Sequence, residues 1–424
     1  MKHVPFWVDD HPRPEGLSSD LPKETDYLIV GSGLTGLSAA MRLSTSGERV
    51  TIIDGGEIAG GASSINGGMV SPDVKAGIDT VYALYGPRIG HEMWQSTVES
   101  VELVRELAKR PDIDALTHEA GMAALGHGPK KLKEFDRTVA WYREKFGVDW
   151  TVHDARDISE LVGGNSFNVA MFEPEGFGVH PARLAFGLAR EVAALGVTLV
   201  AECEATGIEK TTAGMRVETT QGSIAAREVV LATNGYTTRR PSRELARLVV
   251  PIGSYIVVTE PLGEERAKSV FPTGAMTYTR KRLLHYMRRT HDERILLGGR
   301  RSLHTGLDLD DSAADLRRAL VGYWPQLEGV EITHVWGGKL AVPFDLTPHI
   351  GRVDGAWYAV GYAGHGVGLS CQLGHELAGM LLGEEPPSVY SQIAHSGRFY
   401  YTGGRPWFLT PASHLYRLLD KIGT

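Results

Sequence analysis

The segment Gly31-Ser-Gly33-Leu-Thr-Gly36 constrains this chain more than any other. With 51 glycines in 424 residues, three at this spacing decide nothing alone, and the flanks carry the argument. Tyr27-Leu-Ile-Val30 ahead of the motif reads as a buried strand. An apolar helix follows from about residue 34 to 46, Gly47 stops it, and Val50-Thr-Ile-Ile53 is a second buried strand. Together they predict a βαβ unit. Gly31 permits the tight turn, Gly33 admits a pyrophosphate against the backbone, and Gly36 lets helix and strand approach closely. Leu34 and Thr35 open the helix, whose free N–H groups and positive dipole end face the phosphates. Asp54 closes the second strand, where a carboxylate accepts hydrogen bonds from a ribose diol and repels a 2′-phosphate. A dinucleotide other than NADP is expected here.

Composition removes several function classes. A net charge of −7 leaves no footprint for nucleic acid, and Arg239, Arg240, Arg243 and Arg247 read as a solvated patch. Only Cys203 and Cys371 occur, which supports neither a disulfide framework nor a cysteine metal site and predicts a reducing, cytoplasmic setting. No metal site is expected. The opening MKHVPFWVDDHPRPEG has acidic residues and prolines where a signal peptide needs an apolar core. Residues 355–375 lack Asp, Glu, Lys and Arg, but six glycines and two histidines rule out a bilayer span, so no integral membrane segment is expected.

Three later segments decide between NAD and FAD. Directly after Asp54 comes Gly60-Gly61-Ala62-Ser63-Ser64-Ile65-Asn66-Gly67-Gly68, a loop suited to laying backbone against a long, flat ligand, where an NAD domain would continue into its next α/β unit. Val229-Val-Leu-Ala232-Thr233-Asn234 is a buried strand ending in a small-residue turn, and Ala205 joins the cofactor set. Val360-Gly361-Tyr-Ala-Gly364-His365-Gly366-Val367 runs from strand through glycine loop into a helix, whose N-terminus would stabilise negative charge on a flavin pyrimidine edge.

These four segments, in this order, resemble the FAD-dependent family of D-amino-acid oxidase, glycine oxidase, sarcosine oxidase and γ-glutamylputrescine oxidase. The likeness spans about residues 27–408 and is strongest to the γ-glutamylputrescine oxidase type. It rests there on Asn66-Gly67-Gly68, Val258-Thr-Glu260-Pro261-Leu262 and Arg405-Pro-Trp407-Phe408. It implies an α/β fold: a Rossmann-like, glutathione-reductase-type FAD-binding domain with a second α+β substrate domain built on an antiparallel sheet. The expected FAD-binding domain comprises 25–90, 180–250 and 331–385, and the substrate domain 91–179 and 251–330. Residues 1–24 read as an arm, either ordered on contact or loose, and 386–424 as a tail ending in an amphipathic helix. The implied reaction is oxidation of the C–N bond of a small amine or amino acid by hydride transfer to flavin, giving an imine that hydrolyses. Oxygen or another acceptor takes the electrons. Oxidation of a 2-hydroxy acid or alcohol, and a flavoprotein subunit of a larger complex, are the alternatives.

Flavin carries the hard chemistry, so the lack of a nucleophile-elbow or zinc-helix motif is expected. Alternation places Leu284, Tyr286 and Arg288 on one face of a strand read over 282–289. The resemblance puts that strand over the flavin, with Tyr286 matching an active-site tyrosine. Arg288 then either pairs bidentately with a substrate carboxylate or serves as a structural arginine. His365 matches a histidine beside the flavin, with a packed loop histidine as the alternative, and Trp336 and Tyr255 are candidates for the cavity wall or the core. His180 reads as structural, opening a helix ahead of Pro181. Departures from the family are informative. No Cys lies between residues 331 and 370, so non-covalent FAD is expected; no Lys lies near residues 295–301, where sarcosine oxidase relatives carry one, though Arg300 and Arg301 stand nearby; and Ser64-Ile65 replaces the usual Gly-Arg. The basic groups that grip a simple amino acid's carboxylate are missing from residues 66–69 and from Gly368.

Overall fold

A computed structural model describes residues 1–300 and 302–422, with Lys421 and Ile422 as backbone only. Arg301, noted above beside Arg300, lies outside the described residues. The predicted βαβ unit is the centre of the first sheet. Glu24–Val30 pairs in parallel with Val50–Ile53 on one side and Gly222–Leu231 on the other, and Thr198–Val200 and Ala356–Val360 extend the sheet outward, also in parallel. His349–Val353 closes one edge in antiparallel fashion, and a hairpin, Ala205–Thr211 with Gly214–Thr219, hangs from Gly222–Leu231. Parallel strands are covered on both faces, which is why Leu28, Ile29 and Val30 are all apolar and buried. Helices Leu34–Leu43, Pro181–Ala194 and Gly366–Leu382 cover the Ile29 face, and the hairpin covers the Leu28 and Val30 face.

Two of these helices cross closely. A Cβ at Gly374 would collide with the carbonyl oxygen of Thr35. Ser38 Oγ donates to Cys371 O at 2.7 Å, and Thr35 Oγ1 and Tyr362 OH are 2.7 Å apart. The first turn of one helix is thereby tied to the loop that precedes the other.

The second sheet runs in the order Ile332–Pro343, Val249–Thr259, Ile295–Gly299, His285–Arg289, Met276–Thr279, Met122–Gly126, Val169–Glu173, Thr151–His153. All its neighbours are antiparallel except Met276–Thr279 with Met122–Gly126. Its register separates two faces. Trp336, Ile256, Gly298, Tyr286, Tyr278, Ala124 and Met171 are successive cross-strand partners and share one face. Val335, Val257, Leu297, Met287 and Ala123 share the other, where they pack with Leu316 and Leu320 of helix Leu309–Tyr323.

Several expectations are corrected. Ile332–Pro343 pairs along its length with Val249–Thr259, so this stretch belongs to the second sheet, not to the cofactor side. Of the two readings of the arm 1–24, ordering on contact is the one that holds. Phe6–Asp10 is a short helix with Phe6 and Trp7 buried, Lys2 exchanges backbone hydrogen bonds with Thr333 and Val335, and Asp9 and Asp10 meet His334 and His180 at 3.1 Å. Helix Ile78–Ala108 kinks where Gly86 adopts φ 86° ahead of Pro87. The strand read from 282 starts at His285, because the backbone N–H groups of Arg282 and Leu283 cap Asp420 of the terminal helix instead. No helix among the described residues is long and apolar enough to cross a membrane.

Candidate active site

The glycine motif occupies the strand-to-helix turn. Gly31 has φ 111°, and a Cβ there would lie 2.7 Å from Ala232 O, so the turn requires glycine both for conformation and for space. A Cβ at Gly36 would come closer still to the Gly31 carbonyl oxygen. Gly33 caps helix Leu34–Leu43 without a side-chain acceptor, and the Leu34 N–H is taken by Ser63 Oγ at 2.9 Å. Asp54 Oδ2 accepts from Ser32 N (2.8 Å) and Ser32 Oγ (2.6 Å), and Oδ1 accepts from Gly56 N (3.0 Å). These bonds fix the carboxylate at the end of its strand; Ala205 is buried at the start of another.

The other polar side chains of the expected cofactor set mostly brace loops. Ser64 Oγ donates to Ala59 O at 2.7 Å. Asn66 Nδ2 donates to Ala62 O (3.0 Å) and Ser63 O (2.8 Å), while its Oδ1 accepts from Gly68 N (2.7 Å). Asn234 Oδ1 accepts from Gly361 N at 3.0 Å, joining two loops, and Thr233 Oγ1 pairs with Thr237 Oγ1 at 2.6 Å. What these loops leave for a ligand is backbone. His365 caps helix Gly366–Leu382, again without a side-chain cap, and its buried Nδ1 has no hydrogen-bond partner. A glycine-lined turn, two helix starts without side-chain caps, a strand-end carboxylate and an orphaned imidazole nitrogen fit a dinucleotide with a planar ring system.

Between the loops around Ala62–Ile65 and 363–368 and the first face of the second sheet lies a cavity of about 410 Å³. Trp336, Ser254, Ile256 and Tyr286 line it, and so do Asn66, Gly67, Gly364, His365 and Val367. Trp336 Nε1 donates to Ile65 O at 2.8 Å, fixing the indole against the loop. Tyr286 OH lies 3.2 Å from Ser254 Oγ, and its ring covers Gly298, where a Cβ would collide with it.

Arg288 does not reach the cavity, which corrects its expected pairing with a substrate carboxylate. Its buried guanidinium donates from Nη1 to Gly68 O and Val179 O at 2.9 Å and to Gly67 O at 3.3 Å, and lies 5.6 Å from the Trp7 ring centroid. It is a brace behind the Asn66-Gly67-Gly68 loop. Trp7 Nε1 completes the brace by donating to Asn66 O at 2.8 Å. Tyr255 is also corrected: it points to the opposite face, where its hydroxyl accepts from Leu307 N at 2.7 Å.

Sequence reasoning missed the charged lining. Lys75 and Arg300 border the cavity and stand close enough to His365 to repel its proton; with burial they hold that imidazole down at about 3. Burial and Arg300 lower Lys75 to about 8. Asp73 and Glu173 border the same cavity, raised to about 7 and about 8 chiefly by burial. The legible signal was a charge closing an apolar run, as in Val169-Ala-Met-Phe-Glu173.

The comparisons agree with this geometry. The family model "FAD dependent oxidoreductase" (DAO) matches residues 26–380. Gamma-glutamylputrescine oxidoreductase of Escherichia coli is 30% identical over 94% of this chain and 93% of that protein. The probable oxidoreductase OrdL of Haemophilus influenzae is 27% identical over 87% and 88%. The crystal structure of glycine oxidase from Geobacillus kaustophilus superposes with a TM-score of 0.75 at 22% identity, covering 89% of this chain and 100% of that one. This chain belongs to the DAO family of FAD dependent oxidoreductases, enzymes whose cofactor is FAD.

Proposed function

We propose that the enzyme holds FAD non-covalently in a Rossmann-like, glutathione-reductase-type domain and oxidises the C–N bond of an amine or amino acid in the adjoining cavity. Cys203 and Cys371 are both buried, and burial pushes the Cys371 thiol up to about 12, which disfavours a flavin–thiolate link. When bound, FAD accepts a hydride, two electrons and one hydrogen, from the carbon next to nitrogen. An amine R–CH2–NH2 leaves as R–CH=NH2⁺, and water then converts it to the aldehyde and ammonium. Lys75 and Arg300 prepare this step by disfavouring a further positive charge beside His365, so the amine reacts neutral. Tyr286 and Trp336 wall the reacting end and exclude water.

The observation that favours an amine over an alcohol is the state of His365. An alcohol must give its hydroxyl proton to a base as hydride leaves, and His365, the imidazole among the described lining residues, is held neutral and weakly basic. A neutral amine needs no such base. Anaerobic flavin bleaching with amines, amino acids and 2-hydroxy acids tests the reading: amines or amino acids should bleach the flavin, and bleaching by hydroxy acids alone would overturn it. Flavin that no small molecule bleaches would favour a subunit role.

A further inference from the structure

The far end of the cavity contains charge that the proposed chemistry does not use. Glu173 is buried, with 4% of its surface exposed, and lines the cavity. Its Oε1 accepts from Tyr278 OH at 2.8 Å, whereas Oε2 meets no donor among the described residues. Asp73 lines the same region and accepts only from backbone, with Val74 N at 2.7 Å from Oδ1. Neither carboxylate forms an ion pair among the described residues. The neighbouring Arg280 is turned to Glu134, 3.8 Å away. Buried carboxylates are ordinarily paired, so buried Glu173 and half-buried Asp73, with Arg280 in their field but in direct contact with neither, are an incomplete arrangement. Aromatic rings complete the chamber: Tyr142 stacks on Trp150 with centroids 4.5 Å apart, and Tyr278 lies beside Glu173.

The sheet register sets the distance from the cofactor side. Tyr286, whose ring abuts Gly67, and Glu173 lie on the same face, and their strands are three places apart in the sheet. Three strand spacings amount to about 14 Å, before allowing for side-chain reach. Charge is graded along the cavity: Lys75 and Arg300 act on His365, Asp73 acts on both Lys75 and Glu173, and Glu173 lies towards the far end with Arg280 also in its field.

Resting on the reading of this cavity as the substrate site, we propose that Asp73 and Glu173, with the rings of Tyr142, Trp150 and Tyr278, receive a second, positively charged nitrogen of an elongated substrate. The substrate class is a long amine with ammonium at its distal end. The nitrogen to be oxidised sits in the cationic field at the flavin side, where the neutral form is favoured, and the distal ammonium sits between carboxylates and π-faces. Charge thus sets the direction in which the molecule enters. Burial and mutual repulsion leave the two carboxyls partly protonated without such a group, and an ammonium restores both charges.

The FAD-loaded enzyme can be tested with octamethylenediamine, its monoacetyl derivative and n-octylamine, measuring anaerobic flavin reduction and, separately, binding by perturbation of the flavin spectrum. The diamine should bind roughly ten- to a hundredfold more tightly than the other two, the size of one charge-assisted hydrogen bond. Glu173→Gln and Asp73→Asn should each remove most of that preference, read as the ratio of diamine to n-octylamine affinity in the same variant. Equal affinity for all three probes in the parent enzyme would overturn the proposal without any variant. So would a diamine preference that survives both substitutions. Binding that shows the preference without flavin reduction would uphold the distal pocket and count against amine oxidation, whereas reduction of all three at equal affinity would do the reverse.

Discussion

Arg288 shows how far a face assignment goes. Alternation correctly puts it on the face of Tyr286, yet two positions along the strand change its surroundings from cavity to the underside of a loop. Arg288→Ala removes the side-chain donor from the carbonyls of Gly67 and Val179 in a dry site, where one unsatisfied group costs about 1–3 kcal/mol, while the Gly68 carbonyl keeps the Val179 N–H. A lower melting temperature is expected, with turnover falling equally for carboxylate-bearing and simple amine substrates. A loss confined to the carboxylates would return Arg288 to substrate binding. Glu173 makes a prediction of the opposite kind. Its folded-state value of about 8 and that of Asp73 at about 7 lie above those of free carboxyls, so the folded chain holds these protons more tightly than the unfolded one. Their stabilisation is complete below about pH 4 and is lost as pH rises through the folded values. Melting temperatures of protein without substrate should fall across that range, and Glu173→Gln should flatten the fall. Identical pH profiles for parent and variant would show that Glu173 is not the group responsible.

At the scale of elements, the helix crossing at Gly374 matters more than either helix alone. Leu34–Leu43 and Gly366–Leu382 begin at the two loops expected to flank the cofactor, and the crossing sets how those starts face each other. Gly374→Val inserts a branched side chain against the Thr35 carbonyl, and overpacking of this kind costs about 1–3 kcal/mol. The variant should lose FAD on gel filtration at concentrations where the parent retains it. Full retention with an unchanged melting temperature would mean the crossing does not position the cofactor loops. The short helix Phe6–Asp10 acts in the same way from outside, since Trp7 and Arg288 hold the loop at Asn66–Gly68 from behind.

At the scale of the whole molecule, the substrate chamber forms where the helix-covered parallel sheet meets one face of the second sheet. Both cysteine thiols are buried, which supports the non-covalent attachment of FAD proposed above. Acid or heat precipitation should therefore release FAD intact into the supernatant, read by its absorption and fluorescence. Flavin retained in the pellet after washing would show a covalent bond to a residue other than cysteine.

The βαβ unit and the glycine loops were legible because their signals are local. A turn with positive φ, a helix start and a strand-end carboxylate each occupy a few consecutive residues, and glycine spacing reports them directly. The FAD family could therefore be read from the chain alone. The chamber could not. Its floor is drawn from strands Ile332–Pro343, Val249–Thr259, His285–Arg289, Met276–Thr279 and Val169–Glu173, whose order in the sheet differs from their order in the chain. Whether Glu173 meets Tyr278 or Arg288 meets Val179 depends on register between segments about a hundred residues apart. Local propensity carries no information on that pairing, because closing such contacts is a property of the whole packed chain. Sequence alone determined the cofactor class and the glycine turn; the tertiary structure decided which charges line the cavity, because only packing across strands brings Asp73, Lys75, Glu173 and Arg300 around one space.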